Sequence, residues 1–388
     1  MFNLKKYLPL IPTMGLFWLL GFNVGTWASR LISIKENMLI SDAYLGFFLL
    51  AASLGGVIAF PITIATIKYL GVRKAVIVQS IAASLLIYFI MNTQNYFLAL
   101  FFMFLEGICC AGINTSINLF GNDMEKKHKI KFMARFHATF SLGLASAALL
   151  TMIVMKYISE ALYVHSLISG LIILTIMILS VAKLPEIASE GNKENNDGSR
   201  LLNIKTLTLG GLILFATIVE GSMHDWSTIY LKDILHIEES IASSGLLVFS
   251  LSMFVGRLFA DNFRSKYSDF ILIFSAGLIV AFSLVTSLLI MNIAITWLAF
   301  SVVGLAISFV QPSIYAMAAS MGTGSLSIVA TFSSVGGFMG PPIVGFISSN
   351  SSLLYGMYFI SFSSLCISFM AFFLLKLKQS NTLVNEGV

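Results

Sequence analysis

The chain has 388 residues, 57% of them hydrophobic and 11% charged, with a mean hydropathy of +0.92. An ordinary soluble domain carries about 25% charged residues, so a water-soluble core is excluded: too little polar surface exists to cover this much apolar chain. The formal net charge of +5 does not point to nucleic acid, because the basic residues follow the ends of hydrophobic runs.

A helix rising 1.5 Å per residue needs about 20 apolar residues to cross a hydrocarbon layer of ~30 Å. Such runs are predicted over residues 8–28, 43–67, 75–93, 97–119, 133–155, 161–182, 205–225, 241–261, 269–291, 294–318, 325–347 and 353–375. Lys5 and Lys6 precede the first run as in a signal peptide, but no small-residue cleavage site follows, and the run is read as a retained span. Within it Asn23 and Trp27 are candidates for substrate contact. Arg30, close to its outer end, can bind an anionic group of a substrate or clamp a gate against Asp225 or Asp233.

In hydrocarbon an ionised side chain costs at least ~2.5 to 3.5 kcal/mol, so it persists where it faces a cavity or a partner. Glu106, near the middle of the fourth span, is the clearest case. With Cys110, Asn114 and Asn118 it recurs every four residues, a spacing that lays the four along one slowly drifting stripe of a helix. The stripe is read as facing water or ligand; hydrogen bonding between helices is the plainer alternative. Cys109, Cys110 and Cys366 all lie inside apolar runs with no CxxC and no ligand-spaced His, so neither a disulfide nor a metal is expected.

The fifth span offers Arg135, His137 and Ser141 behind a basic loop. His137 is either a titrating imidazole or a satisfied structural one. After the sixth span comes the long polar connection from Pro185 to Asn203, with the composition of a solvated linker. It divides the chain into an N-terminal six-helix bundle (1–184), a linker (185–204) and a C-terminal six-helix bundle (205–388).

Span seven ends in Glu220-Gly-Ser-Met-His224-Asp225-Trp226, where Glu220 and His224 are one turn apart and can share a proton; Trp226 also fits an interfacial belt. At the end of span eight, Arg257 and Asp261 are spaced to form a charge clamp. Span ten contributes Gln311 and Tyr315, and span eleven Phe332 followed by Gly336, Gly337, Gly340, Pro341 and Pro342. These weaken a helix and suit a gate, with Gly340 and Pro341 the gating candidates, although such residues also bend static helices.

Of the 23 Lys and Arg residues, all but Arg30, Lys35, Lys156 and Lys232 fall on one side of this alternation. The positive-inside rule makes that side, with both termini, cytoplasmic. Internal repetition is also visible. Trp27 and Trp226 are 199 residues apart, as are Gly46 and Gly245. Gly107 through Asn118 aligns with Gly304 through Tyr315 at an offset of 197, and Ala138-Thr-Phe-Ser141 recurs as Ala330-Thr-Phe-Ser333 at 192. Matches in order with a slowly drifting offset mark a duplicated six-helix unit.

The pattern resembles the major facilitator superfamily over essentially the whole chain. More narrowly, Gly25-Thr-Trp27-Ala-Ser-Arg30, Asn118 to Asn122, Phe136-His137-Ala-Thr-Phe-Ser141-Leu-Gly143, Glu220 to Trp226 and Gly256-Arg257 to Asp261 are similar to the YbjJ-like branch related to fucose-permease-type sugar transporters. The chain departs from the family's signature at Lys68, where an acid is usual, and the Gly256 to Asp261 spacing is one residue longer than the usual form. The resemblance implies an all-α membrane protein of two pseudo-symmetric six-helix bundles around a midplane cavity that opens alternately to either side.

The expectation is therefore a secondary transporter in a bacterial inner membrane, moving a small polar or amphipathic organic solute and linked to protons. An exporter of drugs or metabolites and a non-transporting sensor of the same fold are the alternatives. Asn23, Trp27, Arg30, Asn114, Asn118, Ser141, Gln311, Tyr315 and Phe332 form the expected substrate set. Glu106, Glu220, His137 and Asp225 are the proton candidates, because burial makes the charge, and not the proton, the costly state of a carboxyl. With no HExxH, GxSxG or GxxxxGK[ST], neither an enzyme nor an ATP-driven pump is expected. The expected partners are substrate, protons and membrane lipid, with no cofactor, no metal and no nucleic acid, for a monomeric chain.

Overall fold

The computed structural model describes residues 8–129, 132–184 and 204–386, without the side chains of Asp261, Thr323 and residues 377–386. All regular structure among them is helical. Twelve helices are long and apolar enough to span a membrane: α1 Leu8–Ala28, α2 Asp42–Leu70, α3 Val72–Asn92, α4 Tyr96–His128, α5 Met133–Tyr157, α6 Leu162–Val181, α7 Ile204–Asp233, α8 Glu239–Ala260, α9 Asp269–Ile290, α10 Ile293–Ser320, α11 Gly324–Asn350 and α12 Leu353–Lys376. Large apolar side chains such as Phe60, Phe282 and Phe369 are exposed. That surface suits acyl chains, against which an apolar side chain loses nothing.

Packing repeats with a period of six helices. In the first half α1 packs on α5 and α6, α2 on α4, and α3 on α4 and α6. In the second half α7 packs on α11 and α12, α8 on α10, and α9 on α10 and α12. Between the halves α2 meets α11 and α5 meets α8, two contacts that exchange with each other when six is added to each number.

Lipid gives helices no hydrophobic drive to associate, so close backbone approach through small residues does that work. The repeat-related glycines show it. A Cβ on Gly107 would lie 1.9 Å from the Ala52 carbonyl oxygen at the α2–α4 crossing, and one on Gly304 would lie 2.3 Å from the Phe249 carbonyl oxygen at the α8–α10 crossing.

One element departs from expectation. Span ten, predicted as continuous, is interrupted: Ile293–Ile307 and Val310–Ser320 are separate helical segments around Ser308 and Phe309. Pro312 explains the break, since it has no N–H for the Ser308 carbonyl and its ring clashes with that group. The Pro185–Asn203 linker lies outside the described residues.

Candidate substrate cavity

Two carboxyls at the centre of the bundle are held in different ways. On α4, Glu106 is 1% exposed. It accepts a hydrogen bond from the Asn23 amide on α1 and a second from the Cys110 thiol, 3.2 Å away. Its Oε2 and the Asn23 Oδ1 are both buried without a donor. On α7, Glu220 is surrounded more fully. Arg257 of α8 donates Nη2 to one oxygen at 2.8 Å, and Gln311 of α10 donates Nε2 to the other at 2.6 Å. Arg257 also reaches across to the first half, donating Nη1 to Ser141 Oγ at 2.6 Å and to the His137 carbonyl at 3.4 Å.

These groups line a central cavity of about 460 Å³. Trp27 and Val24 of α1, Ser53 and Gly56 of α2, and Asn114 of α4 contribute to one wall; Asp225 of α7 and Gly337 and Pro341 of α11 contribute to the other. The volume is of the size that takes a small organic molecule. Its wall carries both hydrogen-bond donors and acceptors. Among the described residues no group of three or more His, Cys, Asp and Glu is placed to hold a metal.

The sequence profile of the Major Facilitator Superfamily matches residues 10–325. The chain belongs to the Major Facilitator Superfamily. It is 27% identical to the transporter y4wD of Sinorhizobium fredii over 349 residues, which cover 87% of this chain and 90% of that protein. Among solved structures it shares the fold of a D-xylose–proton symporter, with a TM-score of 0.74 at 13% identity over 94% of this chain and 96% of the other. The nucleoside transporter NupG gives a TM-score of 0.69 at 14% identity over 94% and 98% of the two chains. This facilitator is therefore a multi-pass membrane transporter.

Of the expected site residues, Trp27, Glu106, Asn114, His137, Glu220, Asp225, Arg257, Gln311 and Pro341 line the facilitator's cavity. Asn23 stands directly behind Glu106, and Ser141 stands behind Arg257. Four other expected residues point elsewhere. Asn118 turns back on its own helix to bond Asn114. Tyr315 lies beside Ser333, Phe332 packs its ring on Gly210, and Gly340 sits against Ile218 and Ser222 of α7.

Arg30 needs correction, and Arg257 has a partner that helical spacing did not offer. The α1 helix stops at Ala28, so the helical period that would have set Arg30 on the face of Asn23 and Trp27 no longer applies. Its guanidinium is 1% exposed and donates to the Glu160 carbonyl, away from the cavity. Burial holds its pKa below the usual guanidinium value, against the pull of Glu239 and Glu160. Neither Asp225 nor Asp233 clamps it. Arg257 pairs with Glu220 in the central cavity, since a guanidinium in a dry interior needs a compensating charge; the Asp261 side chain, its expected partner, lies outside the described residues.

The face opposite the termini carries a second set of polar contacts, around Lys35. After α1 a short helix, Leu31–Met38, presents Lys35 to Asp42 at 2.6 Å and to Asp233 of the other half at 3.2 Å. Partial burial lowers the Lys35 pKa, but Asp42 and Asp233 together outweigh it, and the net shift is upward. Ser33 donates to Glu239, Ser348 to Asp42, Ser243 to the Ser29 carbonyl at 2.9 Å, and the Ala43 amide to Ser349 at 2.7 Å. Each of these joins the two halves. The two halves are held together at this face.

Proposed function

We propose that this facilitator is a secondary active carrier of a small polar organic solute, working by alternating access and linked to protons through Glu106 and Glu220. The observation that carries the reading is the central cavity, walled by both six-helix sets and holding buried carboxyls that would be costly anywhere facing lipid. Closure at one face by bonds between the halves is what one end state of a rocking carrier requires. The division at 185–204 fits a linker between rocking units. Charge asymmetry favours cytoplasmic termini in a bacterial inner membrane, so the closed face is read as the outer one. The Gly25 to Arg30 and Glu220 to Trp226 motifs favour the YbjJ-like branch. The fold shared with a D-xylose–proton symporter and a nucleoside transporter makes hydroxylated ring compounds a sensible start for a panel.

The test is uptake into proteoliposomes across a panel of small polar solutes, with and without an imposed pH gradient. Accumulation that follows the gradient is expected. Retention of gradient-driven accumulation in both Glu106→Gln and Glu220→Gln would remove the proton assignment, and absence of uptake for every solute would remove the carrier reading.

A further inference from the structure

We propose that the solute carried in this cavity bears a positively charged amine, taken between Glu106 and Asp225; the proposal rests on the carrier reading above and narrows its substrate class. The argument is a balance of charge. Three carboxyls and one guanidinium line the cavity, and the guanidinium of Arg257 is already committed to Glu220, whose second oxygen is filled by Gln311. The other two carboxyls have no cationic partner. Glu106 receives neutral donors alone and keeps a buried oxygen without any, next to the equally unsatisfied Asn23 Oδ1. Asp225 is buried and receives no hydrogen bond or ion pair from the described residues.

The nearby imidazoles do not supply the missing charge contacts. His137 is edge-on to Phe17 and His224 edge-on to Phe249, and neither ring bonds a carboxylate among the described residues. The remaining wall offers neutral donors, the unpartnered Trp27 Nε1 among them, but no cation other than Arg257.

A buried acceptor with no donor, and a buried charge with no counter-charge, both carry a free-energy cost that a ligand can relieve. A sugar hydroxyl supplies a donor but no charge, whereas an ammonium supplies up to three donors and a full charge. Trp27 and Phe140 also line the cavity, and the face of an aromatic ring attracts a cation. An anionic solute would meet two carboxyls with the cavity's one guanidinium already taken. Protons are the other species able to neutralise Glu106 and Asp225, so amine binding and protonation exclude each other at these groups.

The experiment uses the full chain in lipid nanodiscs and two matched trios: glucosamine, glucose and gluconate, then benzylamine, benzyl alcohol and benzoate. The amine of at least one trio should raise the melting temperature while its alcohol and acid do not. Affinity for that amine should fall by at least about tenfold in Asp225→Asn and in Glu106→Gln, and Asp225→Glu should restore it. Melting of each unliganded variant identifies one that fails to fold, and the Asp225→Glu result then decides. Stabilisation by an alcohol or acid in place of the amine, no response to either amine, or an amine affinity unchanged from that of the unsubstituted chain in both neutralised variants overturns the proposal. Those outcomes leave the carrier reading standing if neutral solutes still accumulate in proteoliposomes; loss of all accumulation is what defeats that reading.

Discussion

Glu106 and Glu220 face one cavity from opposite halves, yet they are built into the protein on different terms. Glu220 is one member of a four-residue network with Arg257, Gln311 and Ser141, and that network crosses from α7 and α8 to α5. Glu106 has neutral neighbours and an unused oxygen. A buried ion pair resists removal of either partner, because the survivor is left as an uncompensated charge, while a buried neutral contact is lost cheaply. On the proposed reading the two differ in degree: the Glu220 network also ties the halves together through Arg257 and Ser141, and Glu106, with no charged partner, is the freer to exchange what it binds.

The most direct way to break that comparison is to remove Arg257. Arg257→Met strands Glu220 and should cost about 3 to 5 kcal/mol, read as a large fall in melting temperature in detergent. Adding Glu220→Gln to it should recover much of the loss. Equal stability of the single and double variants would show that the pair is not the unit described here. Next in size is a substitution that imposes on α4 the break found in α10. Thr115 occupies the repeat position of Pro312, and its backbone is helical. Thr115→Pro should cost about 3 kcal/mol, whereas a cost near zero would mean that α4 is already weak at this level. Glu106→Gln should change stability by less than about 1 kcal/mol while abolishing gradient-driven accumulation, a split that a purely structural Glu106 would not show.

The smallest effect is expected at the closed face. A lysine whose folded pKa lies above its unfolded value of about 10.4 contributes fully below that pH and loses the contribution as pH rises through the folded value; Lys35 is shifted in that direction. Labelling of a cysteine placed at Val24, with the native cysteines replaced and reagent added from that face, should therefore stay slow to about pH 10 and quicken above it. Lys35→Met should label faster already at neutral pH. No difference between the two would show that the serine contacts alone hold the face shut.

The helices, their number and the duplication were legible because the bilayer imposes a length and a polarity that sequence displays directly. The period of four that carried Glu106 and Asn114 to the cavity was legible for the same reason, since it is local to one helix. What failed was anything depending on where a helix stops or on a partner in another helix. Arg30 left the expected face because α1 ends two residues before it. The Arg257–Glu220 pair was not foreseen, its members being 37 residues apart along the chain; the Asp261 side chain lies outside the described residues. Pro312 announced the break in α10 by itself, but an apolar run of the right length masks such a residue. Lys35, counted as a sign of orientation, gives no hint in sequence that Asp42 and Asp233 converge on it.

The interruption in α10 has a mechanical meaning. Its broken turn rests on α8 at Gly256, where an added Cβ would lie 2.2 Å from Ser308 Oγ, one residue before Arg257. The segment below it begins at Val310 and carries Gln311 on its first turn. Any swing of that lower segment about the loosened turn must tug Gln311 away from Glu220, and any change in what Glu220 accepts must push back on the segment. Under the proposed alternating access, displacement of a lever arm and occupancy of one carboxylate oxygen would thus be geared through a single turn of backbone, on the α10 side and not at the helical Thr115 of α4.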